Sequence, residues 1–212
     1  MRVESRCGPK NCFPCSAMPE RAGCEAGEGA LIIAPEDIEP LGMNGHQSKL
    51  IYLLGFMGSG KSSVGALLAE ELGWPFIDLD MTIEAGQGAS IREIFERAGE
   101  SFFRQLEQAA LVEASRKEPA IIALGGGTFV QKVNFDFIRG RGGITIWLDG
   151  PLEELWQRCA TMDNRPLFQD RESFAQLYAQ RLVYYRQAKF RVSTEGRHPQ
   201  EIVREILRWK LV

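Results

Sequence analysis

At 212 residues, the chain has room for one catalytic domain and an appendage at about 150 residues per domain, but not for two full domains. Its 44% hydrophobic and 25% charged residues are ordinary globular usage, which excludes a disulfide miniprotein, a collagen and a wholly disordered chain. A net charge of −3 argues against a general nucleic-acid binder, and only two histidines, His46 and His198, exclude a multi-histidine metal centre.

Residues 1–46 form the first segment. They carry four of the five cysteines, several prolines and no periodic pattern. This predicts a disordered extension, with Met43 as an alternative start. Cys7, Cys12, Cys15 and Cys24 also allow a four-thiolate zinc site, although their outer spacings do not make two paired knuckles. The first 30 residues lack the apolar core of a secretory leader. The longest strongly apolar run, residues 50–57, is far short of the roughly 20 that a membrane span needs. The expectation is therefore a cytoplasmic protein with no membrane or nucleic-acid partner.

The second segment, residues 47–212, alternates short apolar runs with helical patterns. Leu50–Leu54 predicts a buried strand. Val64, Leu67, Leu68 and Leu72 recur at helical spacing. Residues 76–79 predict a second strand. Ser90 and Glu93 make a capping box that opens a short helix, and a longer helix runs from about residue 100 to 117. Residues 120–124 predict a strand ending in Gly125, Gly126 and Gly127, and residues 144–148 another strand. Further helices are predicted at 151–160 and from a second capping box at Ser173 and Gln176 to about residue 188. Phe190–Ser193 is a last strand, and Pro199 opens a helix carrying Ile202, Val203, Ile206 and Leu207. Strands alternating with helices imply an α/β fold, a parallel sheet covered on both faces.

Gly55-Phe56-Met57-Gly58-Ser59-Gly60-Lys61-Ser62 matches G-x-x-x-x-G-K-[ST], with a strand before it and an amphipathic helix after it. Glycines let backbone N–H groups turn inward around phosphate oxygens, and the following helix points its positive end at the same anion. Lys61 reaches the outer phosphates and the Ser62 hydroxyl can ligate Mg²⁺. This defines a nucleoside triphosphate site but no reaction.

Other residues supply candidate chemistry. Asp78 and Asp80 lie two apart after the second predicted strand, so in extended backbone both carboxylates face one side. Arg104 lies beside a helix face of Phe103, Leu106 and Ala110, with Glu107 placed at i+3 to orient it. The three glycines let backbone approach a ligand closely. Arg165, in the polar stretch Asn164-Arg165-Pro166-Leu167, suits a mobile lid of about residues 160–172 that folds over a transferring phosphoryl group. Arg181 lies on the next helix. Cys159 is a packed helix residue rather than a nucleophile.

Taken in order, GFMGSGKS, FIDLD, GESFFRQLE, LGGG, NRPL and RLVYYRQA resemble the shikimate kinase family, over roughly residue 49 to the C-terminus. The resemblance implies a three-layer nucleoside-monophosphate-kinase-like fold with a five-stranded parallel sheet and a mobile lid. It implies transfer of the ATP γ-phosphoryl group to the 3-hydroxyl of shikimate, with Mg²⁺ as cofactor and a monomeric enzyme. By motif, Met57, Gly58, Ser59, Gly60, Lys61, Ser62 and Ser63 would bind ATP, with Ser62 on Mg²⁺ and Asp78 supporting the metal through water. Lys61, Asp80 and Arg165 would be catalytic. Asp80 would take the shikimate hydroxyls, and Arg104 and Arg181 its carboxylate, with Gly125, Gly126 and Gly127 lining the pocket. Arg158 would lie against the adenine, with Arg197 and Pro199 on its other side. The chain departs from the family at Phe168, where another leucine is usual. The alternatives are a related kinase of another hydroxylated acid, such as gluconate, and a non-catalytic nucleotide-binding regulator.

Overall fold

The computed structural model describes residues 48–160 and 170–212. The extension with its four cysteines, and the lid sequence around Arg165 and Phe168, lie outside the described residues.

Five strands form one parallel sheet: β1 (Leu50–Leu54), β2 (Phe76–Asp78), β3 (Ala120–Ala123), β4 (Ile144–Asp149) and β5 (Phe190–Ser193), in the spatial order β2-β3-β1-β4-β5. The predicted α/β architecture is therefore observed. The helices are α1 (Lys61–Leu72), α2 (Leu79–Gln87), α3 (Ile91–Ala114), α4 (Lys132–Gly140), α5 (Leu152–Ala160), α6 (Arg171–Tyr185) and α7 (Pro199–Arg208). None of them is long and apolar enough to cross a membrane.

Alternation along the central strand builds both faces of the core. Ile51 and Leu53 of β1 pack with Val64 and Leu68 of α1 and with Ile202, Val203 and Ile206 of α7. Leu50, Tyr52 and Leu54 point the other way, among Leu111 of α3, Ile138 of α4, Leu155 of α5 and Phe174 and Tyr185 of α6. All five β1 residues are buried, as a strand sandwiched between two helical layers must be.

The capping box at Ser90 and Glu93 is present, with Ser90 N donating to Glu93 Oε2 at 2.8 Å. Gly99, at φ 76° and ψ 176°, breaks α3, so the short helix and the longer one are the two parts of one kinked element.

Three expectations are corrected. The second strand ends at Asp78 rather than residue 79, because the Asp78 side chain caps α2 and turns the chain into a helix. Asp80 is therefore helical, and extended alternation does not apply to it. The cap of α6 is Asp170, which accepts from Ser173 N at 2.8 Å; Ser173 is inside the helix, not at its start. Helices α2 and α4 were not foreseen.

Candidate active site

Every candidate residue lies at or near the C-terminal ends of the strands, where parallel sheets with crossover helices present loops to ligands. The loop after β1 turns through Gly58 (φ 75°) and Gly60 (φ 89°), left-handed conformations that favour glycine. A side chain at Gly58 would also meet Cys159 Sγ and the Leu155 carbonyl, each at 3.0 Å. Cys159 thus packs beneath the loop, buried as expected. Gly60 precedes α1, whose N-terminus has no side-chain cap, so the first-turn N–H groups are presented to an anion. Lys61 begins the helix, and its Nζ donates to the carbonyls of Gly55 at 3.0 Å and Phe56 at 3.2 Å.

Ser62 Oγ donates to Asp78 Oδ2 at 2.6 Å. The other Asp78 oxygen accepts from the backbone of Asp80 at 3.1 Å and Met81 at 3.3 Å. One carboxylate therefore caps α2 and faces the first turn of α1. A hydroxyl and a carboxylate so joined are the hard oxygen donors that suit Mg²⁺.

Asp80 turns to the three glycines instead. A Cβ on Gly125 would fall 2.6 Å from Asp80 Oδ1, 2.8 Å from Glu107 Oε1 and 2.9 Å from Thr128 Oγ1. A Cβ on Gly126 would be 2.9 Å from Arg181 Nη1, and one on Gly127 2.7 Å from Arg104 Nη1. The glycines are required here by close approach, since three separate helices press charged groups against them.

Glu107 organises one side of this cluster. It is only 1% exposed, accepts from Arg104 Nη1 at 2.9 Å through one oxygen and from Thr128 Oγ1 at 2.6 Å through the other. Arg104 also donates to Glu100, at 2.8 Å from Nη2. Burial works against the Arg104 charge, but Glu107 and Glu100 outweigh it and raise its pKa. Arg181 is 7% exposed and lies over the Phe56 ring at 5.6 Å, so an arginine of α6 rests on a side chain of the phosphate loop. Burying these guanidiniums is costly unless hydrogen-bonding or ionic partners surround them.

On the other side of the loop, Arg158 Nη1 donates to the Gly58 carbonyl at 3.3 Å and Nη2 to Glu154 at 2.9 Å. Gly196 N donates to the same Glu154 carboxylate at 3.1 Å, which brings the turn before α7 beside α5. Arg197 is engaged with its own neighbourhood, donating to Ser193 O at 3.1 Å, Glu201 O at 3.0 Å and Glu205 at 2.6 Å. Thr128 and Tyr185 complete the glycine cluster; Tyr185 Oη donates to Gly126 O at 2.6 Å. Nothing in the local sequence singled them out. Thr128 directly follows the glycines, and that adjacency was the available signal.

A phosphate loop leaving the central strand of this sheet, beside a pocket of opposed charges, defines a P-loop kinase. The chain belongs to the shikimate kinase family, whose profile, described as shikimate kinase, matches residues 57–210. The shikimate kinase of Persephonella marina is 44% identical over 158 residues, covering 74% of this chain and 96% of that protein. The structure of Acinetobacter baumannii shikimate kinase in complex with shikimate has 37% identity and a TM-score of 0.73, covering 76% of this chain and 92% of that one. A gluconokinase from Sinorhizobium meliloti is 21% identical with a TM-score of 0.50, a likeness of fold alone. The chain is thus an ATP-dependent kinase of the shikimate family, and the gluconate alternative is not favoured.

Proposed function

We propose that the protein transfers the γ-phosphoryl group of ATP to the 3-hydroxyl of shikimate, giving shikimate 3-phosphate and ADP in aromatic amino-acid biosynthesis. The observation that carries this reading is the charge layout at the glycines. Arg181 and Arg104 stand 2.9 and 2.7 Å from the Cβ positions of Gly126 and Gly127, and Asp80 stands 2.6 Å from that of Gly125. A carboxylated triol needs just such an arrangement, cationic where its carboxylate lies and anionic where its hydroxyls lie. Arginine suits the carboxylate because its planar fork donates two parallel hydrogen bonds.

The roles follow from the chemistry. Arg104 and Arg181 bind the carboxylate, with the backbone of Gly126 between them. Asp80 accepts hydrogen bonds from the ring hydroxyls, aligns the 3-hydroxyl and takes its proton as the oxygen attacks the γ-phosphorus and ADP departs. Lys61 neutralises charge on the outer phosphates. Met57 to Ser63 cradle the triphosphate with backbone N–H groups. Ser62 would hold Mg²⁺ directly and Asp78 through water, and the ion supplies charge neutralisation on the phosphoryl oxygens. Arg165 closes over the transferring group and excludes water. Arg158 flanks the adenine. Arg197 and Pro199 form its other wall, Arg197 through the turn it braces. Catalysis here rests on alignment and neutralisation rather than on a protein nucleophile.

The reading is tested by incubating the protein with ATP, Mg²⁺ and shikimate and locating the transferred phosphate by phosphorus–proton correlation NMR. Phosphate on C3 is expected. Phosphate on another hydroxyl, or turnover of gluconate in preference to shikimate, contradicts it.

A further inference from the structure

Tyr185 closes α6 and is 1% exposed. Its ring packs near Trp147, centroids 6.3 Å apart, and a phenylalanine would fill that apolar site equally well. The hydroxyl therefore has a separate task, and its partner is the Gly126 carbonyl at 2.6 Å, 59 residues away in sequence. Burial pushes the phenol pKa well above its usual value despite the pull of Arg181, so the group remains a hydrogen-bond donor. Arg181 lies one helical turn earlier on the same helix face and stands 2.9 Å from the Cβ position of the same Gly126. One helix face thus carries both a substrate-facing guanidinium and the hydroxyl that pins the backbone opposite it.

Three successive glycines are the most pliable backbone a chain can offer. A ligand that needs one of them in a set orientation must supply the ordering itself, unless the protein has done so beforehand. Because the peptide unit is planar, fixing the Gly126 carbonyl fixes the whole plane joining Gly126 to Gly127.

We infer that Tyr185 is a positioning residue for the substrate carboxylate, acting through the Gly126 carbonyl and in register with Arg181. The inference rests on the shikimate reading above. Tyr185 touches no reacting atom, so its loss acts on shikimate binding and not on phosphoryl transfer.

The experiment compares Tyr185→Phe with the wild-type full chain in the ADP-release assay, with ADP binding as the check of folding. Shikimate KM is expected to rise roughly 3- to 10-fold, the value of one hydrogen bond, while kcat and the KM for ATP stay within about twofold. Combined with Arg181→Lys, the two KM penalties multiply to less than their product, because the residues act on one unit. An unchanged shikimate KM in a variant that binds ADP overturns the inference, as does a lowered melting temperature with kinetics intact. If Tyr185→Phe does not bind ADP, Tyr185→Met removes the hydroxyl with a more adaptable side chain, and the same split is required of it. A wild-type chain that does not turn over shikimate refutes the shikimate reading itself; an active wild type with an unaffected variant refutes only the role of Tyr185.

Discussion

Glu107 binds Arg104 with one carboxylate oxygen at 2.9 Å and Thr128 with the other at 2.6 Å. It is thus a buried anion that fixes a cation at the substrate pocket. Removing one member of such a pair costs about 3–5 kcal/mol, because the remaining charge is stranded. Glu107→Gln keeps the shape and one acceptor but loses the charge. It should lower the melting temperature and raise the KM for shikimate, while ATP binding is preserved. Thermal melts and steady-state kinetics check this; an unaltered shikimate KM would show that Arg104 needs no such support.

Gly125→Ala should be the most damaging single methyl group in the pocket. Its Cβ would press on oxygens of Asp80, Glu107 and Thr128 at 2.6, 2.8 and 2.9 Å. The last two are hydrogen-bonded to each other, so they cannot yield independently. Overpacking of this kind costs about 1–3 kcal/mol, and a misplacement near 1 Å at a reacting group can cost on the order of 100-fold in rate. Turnover should collapse with ATP affinity retained, as kinetics and nucleotide titration would read. A fully active variant would mean that the Asp80 carboxylate is placed elsewhere in solution.

The two sides of the site were not equally legible in sequence. The phosphate loop could be read because its chemistry is local. Gly55 to Ser62 are contiguous, and Leu50–Leu54 and Val64, Leu68 mark the flanking strand and helix. Arg104 with Glu107 was legible for the same reason, at i and i+3 of one helix. Asp78 and Asp80 misled, since a strand ending in Asp can continue or be capped by that very residue, and only tertiary packing of α2 decides. Helix α2 itself buries just Leu79 and Ile83, too few to stand out as a period, and two glycines sit at or beyond its end. The meeting of Asp80, Arg181 and Arg104 on three consecutive glycines depends on the sheet order, which no local pattern specifies.

Asp78 should separate metal affinity from stability. Asparagine caps helices about as well as aspartate, so Asp78→Asn should hardly change the melting temperature. Its charge, however, faces Ser62 at 2.6 Å, and loss of a second-shell carboxylate typically weakens metal binding roughly 10- to 100-fold. The Mg²⁺ concentration for half-maximal rate should rise accordingly. An unchanged Mg²⁺ dependence would remove Asp78 from the metal's surroundings.

Asp170 holds the start of α6, the helix that carries Arg181 and Tyr185. The Ser173 backbone N–H, and then its hydroxyl, hold the Asp170 carboxyl below its ordinary value of 3.8. A depressed carboxylate pKa stabilises the fold above the unfolded-state value, and that contribution disappears as pH falls through the lower folded-state value. The melting-temperature gap between wild type and Asp170→Asn should therefore be present at pH 7 and close under acid conditions below about pH 4. A gap that persists unchanged into acid would mean that the charge of Asp170 contributes nothing to the cap.

The central claim is that this chain phosphorylates shikimate and recognises it by its carboxylate. The most direct measurement is ADP release with ATP and Mg²⁺, with and without shikimate, for the wild type and Arg104→Ala. The account predicts release that depends on shikimate in the wild type. It predicts a fall of about 100-fold in kcat/KM for shikimate in the variant, the loss of two charge-assisted hydrogen bonds, with the KM for ATP little changed. ADP release indifferent to shikimate in the wild type, or an Arg104→Ala variant as efficient as the wild type, would contradict it.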